Sequence, residues 1–223
     1  MCAVCPSWLS FILYNPLRKA FTDRAKILEE SGITPDSIVL EIGAGNGFLT
    51  EVLAGRAQKV IAVELQDGMV RKLEKRIERL RDRVEIVRAD IAALALGDGI
   101  ADVCLLYYSF HEVSNKEGAV TQISRAVRKG GILSIYEPAI EVTKRAMEKT
   151  VAAFEQKGFL REVISDRTFT RFARLRKKAD SEALMRSGGK SPGTQGECPP
   201  RRVAEETEAK AGMLSAALCY NDV

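Results

Sequence analysis

The protein has 223 residues, of which 46% are hydrophobic and 29% are charged. These fractions are typical of globular chains, so a wholly disordered, collagen-like or disulfide-scaffold protein is excluded. Its 34 Lys and Arg against 30 Asp and Glu leave a net charge of +4, too small an excess to indicate an anionic partner. The single histidine, His111, excludes metal sites that need several imidazole ligands.

The five cysteines are odd in number and unevenly placed, unlike the framework of a secreted disulfide protein. The apolar run from Trp8 to Tyr14 follows no basic region and is much shorter than the roughly 20 residues that a membrane-spanning helix needs. We therefore expect a reduced, cytoplasmic protein without a membrane span. Cys2 and Cys5 have the spacing of half a metal site, but no second pair follows at metal spacing, so we expect no metal.

From about residue 37 onwards, short β-rich segments alternate with longer segments of helical periodicity, which is typical of a parallel sheet with crossover helices. The pattern predicts strands over 37–42, 59–63, 84–88, 102–108 and 132–136, and helices over 47–57, 68–81, 116–129 and 142–157. Gly130 and Gly131 are expected to end the third helix. The last β-rich segments, 160–164 and 168–176, are too close together for a crossover helix and are expected to form an antiparallel hairpin.

The two ends of the chain differ from this alternating region. Residues 1–36 contain a largely helical pattern and are expected to cover one end of the sheet. Residues 37–179 are expected to form a doubly wound α/β domain. From residue 180 onwards the chain is rich in Gly, Ser and Pro, which predicts a linker and a disordered tail over 180–223.

The first strand leads into a turn with alternating glycines, Gly43, Gly45 and Gly47, and then into a helix. Glycine permits positive φ and lets a ligand lie against bare backbone, and the start of a helix adds unpaired N–H groups. Glu64 follows the second strand, where its carboxylate is suited to accept two hydrogen bonds from a ribose. In the crevice of a doubly wound sheet, these features predict a site for a nucleoside-bearing cofactor.

The spacing of the glycines disfavours a dinucleotide. The dinucleotide fingerprint is G-x-G-x-x-G, whereas Phe48 stands here at the position of the third glycine. Glu41 within the first strand and Asp90 after the third add two carboxylates that a dinucleotide does not need. A cofactor with a sulfonium, an ammonium and an adenine amine would use both as acceptors.

The segment from Glu41 to Gly47, together with Glu64, Asp90 and the terminal hairpin, resembles the class I S-adenosylmethionine-dependent methyltransferases over roughly residues 37–178. The resemblance implies a mostly parallel seven-stranded sheet whose last strand is antiparallel. It also implies that the three glycines line the methionine part of S-adenosylmethionine, that Glu64 holds the ribose and that Asp90 meets the adenine amine. The cofactor-binding residues expected on this basis are Glu41, Gly43, Ala44, Gly45, Asn46, Gly47, Glu64, Leu65, Asp90, Ile91 and Tyr107.

The residues around the fourth and fifth strands are similar to one group within this class. The segments 107–113 and 130–133 resemble the small-molecule methyltransferases (type 11), which include the enzymes of ubiquinone and menaquinone biosynthesis. This resemblance implies a small-molecule methyl acceptor. The sequence does not identify that acceptor, its reacting atom or the oligomeric state.

Methyl transfer from a sulfonium needs a base only when the acceptor starts protonated. His111 is the candidate base because it alone titrates near neutral pH when unperturbed, and Glu112 is a candidate either to orient it or to act alone. A purely structural histidine is the equal alternative. Tyr107 and Tyr108 are candidates to shape the pocket or stack on the acceptor, and strand alternation predicts that one lies in the core and the other faces the cleft.

Two other functions remain open from the sequence. The glycine-rich segment also resembles the ribosomal-RNA adenine dimethylases, but the segment 107–110 lacks the Asn and Pro of their Asn-x-Pro-Tyr type motif, and no basic RNA-gripping domain is evident. We therefore consider nucleic acid an unlikely partner. The third hypothesis is a non-catalytic regulator that binds S-adenosylmethionine.

Overall fold

The computed structural model describes residues 22–179. Five α-helices, two short 3₁₀ helices and seven strands alternate along them. The helices are α1 (Arg24–Glu30), α2 (Thr50–Arg56), α3 (Asp67–Arg76), α4 (Lys116–Ala126) and α5 (Lys144–Gln156), with 3₁₀ turns at Glu78–Arg83 and Phe110–Glu112. The strands are β1 (Ile38–Ile42), β2 (Lys59–Glu64), β3 (Val84–Arg88), β4 (Ala101–Tyr107), β5 (Val127–Pro138), β6 (Phe159–Asp166) and β7 (Thr170–Lys177).

The seven strands form one sheet in the order β3-β2-β1-β4-β5-β7-β6. The first five strands along the chain pair in parallel, whereas β7 runs antiparallel to both β5 and β6. The predicted doubly wound sheet and its antiparallel C-terminal hairpin are therefore confirmed. The strand order reverses beside β1, and in open α/β sheets the crevice at such a point is where ligands bind.

Helices cover both faces of the sheet because the central strands carry apolar side chains on both of their faces. On one face, Val120 of α4 and Phe154 of α5 pack with the buried side chains of β1, β4 and β5. On the other face, Ile27 of α1, Leu53 of α2 and Leu73 of α3 form a second core. Cys104 lies fully buried within β4, as its predicted strand position requires.

The junction between α4 and β5 differs from the prediction. The helix ends at Ala126, and β5 begins at once with Val127, so the glycine pair does not end the helix. Instead, Gly130 and Gly131 lie within the strand, where its pairing with β4 shifts register. A Cβ on Gly131 would come within 2.9 Å of the Asp102 carbonyl oxygen, so the irregular strand brings the two backbones too close for a side chain.

Two predictions concern segments outside the described residues. They are the N-terminal part of the cover over residues 1–36, including the Cys2 and Cys5 pair, and the tail over 180–223. Within 22–179, no helix has the length and apolar character needed to cross a membrane. The same residues contain no group of three or more His, Cys, Asp or Glu side chains arranged to hold a metal ion.

Candidate active site

A cavity of about 480 Å³ opens where the carboxyl ends of β1, β2 and β4 meet. The parallel register places Ile42 beside both Val63 and Leu106, so the residues that follow these three strands converge. The cavity is lined by Glu41, Gly43, Ala44, Gly45, Asn46, Glu64, Leu65, Asp90, Ile91, Tyr107, Tyr108, His111 and Glu112. Of the residues expected at the site from sequence, only Gly47 is absent from the cavity wall.

The turn after β1 requires glycine at its first position. Gly43 has φ +72°, and a Cβ there would lie 2.4 Å from Cβ of Ser109, the residue that follows Tyr108. Ser109 is held at this place because its hydroxyl donates to the Ile42 carbonyl at 2.7 Å. Gly43 therefore lets the ends of β1 and β4 lie close together, so the residues that follow these two strands line one cavity.

The other two glycines of the turn have different surroundings. A Cβ on Gly45, which has φ +57°, would meet nothing closer than the Gly43 carbonyl oxygen at 4.0 Å, so bare backbone lies beside open space at the cavity wall. Gly47, with φ +82°, lies against α3, and a Cβ there would be 2.8 Å from Cδ1 of Leu73. Gly47 thus allows the turn to pack on a helix, while Gly45 presents its backbone to a ligand.

Glu64 ends β2 as a buried carboxylate that is held by two backbone N–H groups. Gly45 donates to its Oε2 at 2.8 Å, and Gln66 donates to its Oε1 at 2.8 Å. These bonds join the glycine turn to β2 and fix the orientation of the carboxylate. Each carboxylate oxygen can accept a further hydrogen bond, so the group can still receive the two hydroxyls of a ribose.

Glu41 is a second buried carboxyl at the same end of the cavity, on the same sheet face as Glu64. Its Oε2 accepts a hydrogen bond from the Thr50 hydroxyl at 2.6 Å. Burial raises the pKa of Glu41 to about 8; the Thr50 hydrogen bond opposes this shift and the nearby charge of Glu64 adds to it. At neutral pH Glu41 is therefore mainly protonated, and a cation beside it would favour the ionised form.

Asp90 also lies on the cavity wall, in the exposed turn after β3. Its Oδ1 accepts a hydrogen bond from the Ala92 backbone at 2.9 Å, so the carboxylate stabilises its own turn. Its position on the cavity wall leaves it available to a ligand as well.

Tyr107 and Tyr108 both line the cavity, so the expected division into one core and one cleft residue is wrong. Tyr108 has φ +56°, which ends the strand alternation, and its ring stacks on that of Tyr107 with centroids 4.4 Å apart. Its hydroxyl forms a 2.5 Å hydrogen bond with Thr170 Oγ1 at the start of β7. A bulky side chain at positive φ is uncommon and strained, and such strain is concentrated at functional sites.

His111 lies at the far end of the cavity between two glutamates that sequence reasoning missed. Its Nδ1 is 2.5 Å from Oε2 of Glu137, and its Nε2 is 3.1 Å from Oε2 of Glu141. Burial of the imidazole favours its neutral form, but the hydrogen bond and charge of Glu137, with the charges of Glu141 and Glu112, outweigh burial and raise the pKa of His111. Glu112 acts on His111 through this charge.

Both missed glutamates have a position that sequence could have indicated. Glu137 lies at the carboxyl end of β5, beside the end of β4, and Glu141 follows in the turn after Pro138. Acidic side chains at the carboxyl end of a parallel strand are candidates for the site edge. The same logic identified Glu64 and Asp90.

The charges on the cavity wall have one sign apart from His111. Five carboxyl groups line it (Glu41, which is mainly protonated at neutral pH, with Glu64, Asp90, Glu112 and Glu141), and no Lys or Arg lines it among residues 22–179. A second cavity, of about 720 Å³, lies between α1 and the β6–β7 turn and shares Tyr107 and Tyr108 with the first. The exposed side chains of Ile140 and Phe169 contribute to its wall.

Residues 40–135 match the family described as "Methyltransferase domain". A ubiquinone/menaquinone biosynthesis C-methyltransferase of Hydrogenovibrio crunogenus is 30% identical over 115 residues, which cover 49% of this chain and 45% of that protein. A S-adenosylmethionine-dependent methyltransferase structure from Aquifex aeolicus superimposes with a TM-score of 0.68 at 20% identity, covering 78% of this chain and 99% of that one.

Residues 40–135 therefore form a methyltransferase domain similar to the class I S-adenosylmethionine-dependent enzymes of the type 11 group. S-adenosylmethionine is accordingly the cofactor of the domain. A ribosomal RNA small subunit methyltransferase A of Koribacter versatilis is 43% identical, but over only 76 residues, or 34% of this chain and 26% of that protein. The chain spans less than half the length of both curated relatives.

The cavity of the methyltransferase domain fits this cofactor. The open side of Gly45 provides bare backbone, and the buried carboxyls of Glu41 and Glu64 are acceptors beside it. A dinucleotide would bring a pyrophosphate to the same wall, where no described Lys or Arg lies to neutralise it. A cofactor with cationic groups suits this donor and acceptor set better.

Proposed function

We propose that the protein transfers a methyl group from S-adenosylmethionine to a small-molecule acceptor. One observation carries the proposal: a single cavity joins the Gly45, Glu41 and Glu64 end to an end that contains His111, the only histidine of the protein. The first end suits the cofactor, and the second offers a group that exchanges a proton with the acceptor.

In this proposal the cofactor-facing residues bind and align. Gly43, Gly45 and the neighbouring Ala44 and Asn46 meet the methionine part, Glu64 holds the ribose hydroxyls, and Asp90 accepts from the adenine amine. S-adenosylmethionine, when bound, supplies an activated methyl group whose carbon–sulfur bond breaks with its electron pair left on sulfur. Because the leaving group is already activated, the protein contributes mainly alignment and exclusion of water.

His111 is proposed as the base that receives a proton from an acceptor that enters protonated. Its raised pKa means that the proton-free form, which acts as the base, becomes populated as pH rises above the ordinary histidine range. Methyl transfer is therefore expected to increase with pH through the pKa of His111. Tyr108 is proposed to contact the acceptor, since its ring lies between the two cavities.

The charge of the cavity supports a small neutral or cationic acceptor over RNA. A phosphate backbone needs Lys or Arg contacts, and none lines either end of the first cavity within residues 22–179. The match to the Koribacter versatilis protein is short. A cytoplasmic location belongs to the same proposal.

The test measures binding and turnover separately on the full chain. S-adenosylmethionine binding is measured by titration calorimetry, and formation of S-adenosylhomocysteine is then followed by mass spectrometry with two acceptor pools. We expect turnover with the small-molecule fraction of a cell extract and none with ribosomal RNA. Turnover with RNA alone would overturn the acceptor class. Tight binding without turnover in either pool would instead favour the non-catalytic regulator.

A further inference from the structure

Glu137 is a buried carboxylate whose two oxygens are both engaged at the far end of the cavity. It is 2% exposed; its Oε1 accepts from the Phe110 backbone at 3.0 Å, and its Oε2 lies 2.5 Å from Nδ1 of His111. An ionised carboxylate only accepts hydrogen bonds, so Nδ1 must carry the proton of this contact. In neutral His111 the proton-free nitrogen is then Nε2.

Glu141 occupies the other side of the imidazole and differs from Glu137 in exposure. Its side chain is 59% exposed and contributes to the cavity wall, while its Oε2 lies 3.1 Å from Nε2 of His111. This carboxylate therefore touches both the nitrogen that would act as the base and the water outside. The contact also covers Nε2, so an acceptor must displace it to reach the imidazole.

The charged groups around His111 come from four segments of the chain. Glu137 is in β5, Glu141 is in the turn that follows, and Glu112 neighbours His111 within the 3₁₀ turn. From α4, the Lys116 ammonium donates to the His111 carbonyl oxygen at 3.1 Å and lies over the Phe110 ring. The imidazole itself thus faces carboxylates, while the ammonium binds the backbone behind it.

We propose that Glu137, His111 and Glu141 form one acid–base unit, in which Glu137 positions the imidazole with Nε2 facing the cavity and Glu141 exchanges protons between Nε2 and water. The inference rests on the proposed function. As the acceptor atom bonds to the methyl carbon, its proton passes to Nε2, and the imidazolium is stabilised by Glu137. The imidazolium then gives that proton to Glu141, which releases it to solvent and restores the starting state.

The single histidine makes the unit directly measurable by nuclear magnetic resonance. With ¹⁵N-histidine labelling, every imidazole signal belongs to His111. Above its pKa we expect the wild-type ring to carry its proton on Nδ1. Glu137→Gln should lower the pKa of His111 and abolish the preference for that tautomer. Glu141→Gln should lower the pKa and keep the tautomer. Below the pKa, where the imidazolium carries a proton on Nε2, it should slow exchange of that proton with water severalfold.

Glu117→Gln is the matched control, because Glu117 is an exposed glutamate at the start of α4 and does not line the cavity. It should change none of the three readings. A Glu137→Gln spectrum with unchanged pKa and tautomer would overturn the positioning role. Unchanged or faster exchange in Glu141→Gln would overturn the relay. If Glu137→Gln does not fold, wild-type protein with its proton on Nε2 at high pH overturns the positioning role instead.

Calorimetry on the same samples separates this inference from the proposed function. We expect Glu141→Gln to bind S-adenosylmethionine as the wild type does, because Glu141 lies at the end of the cavity away from Glu64. A wild-type protein that does not bind S-adenosylmethionine would defeat the proposed function while leaving the imidazole readings intact. Normal binding with an unperturbed imidazole would defeat only the acid–base unit.

Discussion

The two ends of the cavity are built from different kinds of contact. At the cofactor end, Glu41 bonds Thr50 nine residues away, and Glu64 bonds Gly45 nineteen residues away. At the acid–base end, His111 bonds Glu137, which lies 26 residues along the chain and beyond a whole helix. The first end is one strand–turn–helix–strand unit, whereas the second exists only once β4 and β5 are paired.

This difference explains how each end tolerates change. The cofactor end depends on backbone conformation, because glycines at positive φ allow the close approach of neighbouring segments. The acid–base end depends on buried charge, because a carboxylate with 2% exposure requires its partners. Substitutions of glycine should therefore act on folding, and substitutions of glutamate on protonation or affinity.

The largest effect is expected at Gly43. In Gly43→Ala the new Cβ would lie 2.4 Å from Cβ of Ser109 at a residue with φ +72°. Overpacking and positive φ together should lower the free energy of unfolding by about 3 kcal/mol, measured by urea denaturation. Gly55→Ala in α2 is the control, since its Cβ meets nothing within 4 Å, and it should raise stability by about 0.5 kcal/mol. Equal effects at both glycines would contradict the role of the Gly43 contact.

The next effect concerns cofactor affinity. Glu64→Ala removes a charge-assisted acceptor worth about 1.5–3 kcal/mol, so S-adenosylmethionine should bind roughly 10- to 100-fold more weakly in calorimetry. Glu85→Ala is the matched control, because Glu85 is an exposed glutamate of the neighbouring strand that pairs with Lys59. Unchanged affinity in a folded Glu64→Ala protein would refute the ribose role.

The cofactor end was predictable from sequence, and the acid–base end was only half predictable, for a physical reason. Periodicity identified the strands, and glycine chemistry identified the turn, because both depend on neighbouring residues. The partner of His111 depends on which strand lies beside β4, and the sequence alone pointed to the adjacent Glu112 instead. The prediction that only one of Tyr107 and Tyr108 faces the cleft was wrong because the strand alternation ends at Tyr108. Its φ is positive, and a positive φ cannot be predicted from sequence where the residue is not a glycine. The irregular start of β5 was also missed, because Gly130 and Gly131 are typical of the end of a helix and were interpreted as such.

Proton release should distinguish Glu41 from an ordinary ionised acid. Because burial raises the pKa of Glu41 to about 8, the ligand-free protein holds a proton there at pH 7. Cationic S-adenosylmethionine should favour the ionised form, so binding releases roughly one proton. Affinity should therefore rise as pH increases towards 8 and level off above it.

Calorimetry in two buffers with different ionisation enthalpies measures this proton directly. The Glu41→Gln protein should bind S-adenosylmethionine without releasing a proton. Thr50→Val removes the hydrogen bond that favours the ionised carboxylate, so it should raise the pKa of Glu41 and move the levelling of affinity to higher pH. Proton release that persists in Glu41→Gln would assign the effect to another group.

The smallest effect is expected at Tyr108, which lines both cavities. Tyr108→Phe keeps the ring stacked on Tyr107 but removes the hydroxyl that lies 2.5 Å from Thr170 Oγ1, and should lower unfolding free energy by about 1 kcal/mol. In the double variant with Thr170→Val, the loss of unfolding free energy should be clearly smaller than the sum of the losses in the two single variants, because each substitution removes the same hydrogen bond. Strictly additive effects would show that the hydrogen bond to Thr170 does not contribute to stability. The backbone around Tyr108 would still be held by its own N–H, which donates to the Tyr136 carbonyl oxygen at 2.8 Å, and by the Ser109 hydroxyl, which donates to the Ile42 carbonyl oxygen at 2.7 Å. The second of these bonds links this segment to β1 at the cofactor end of the cavity.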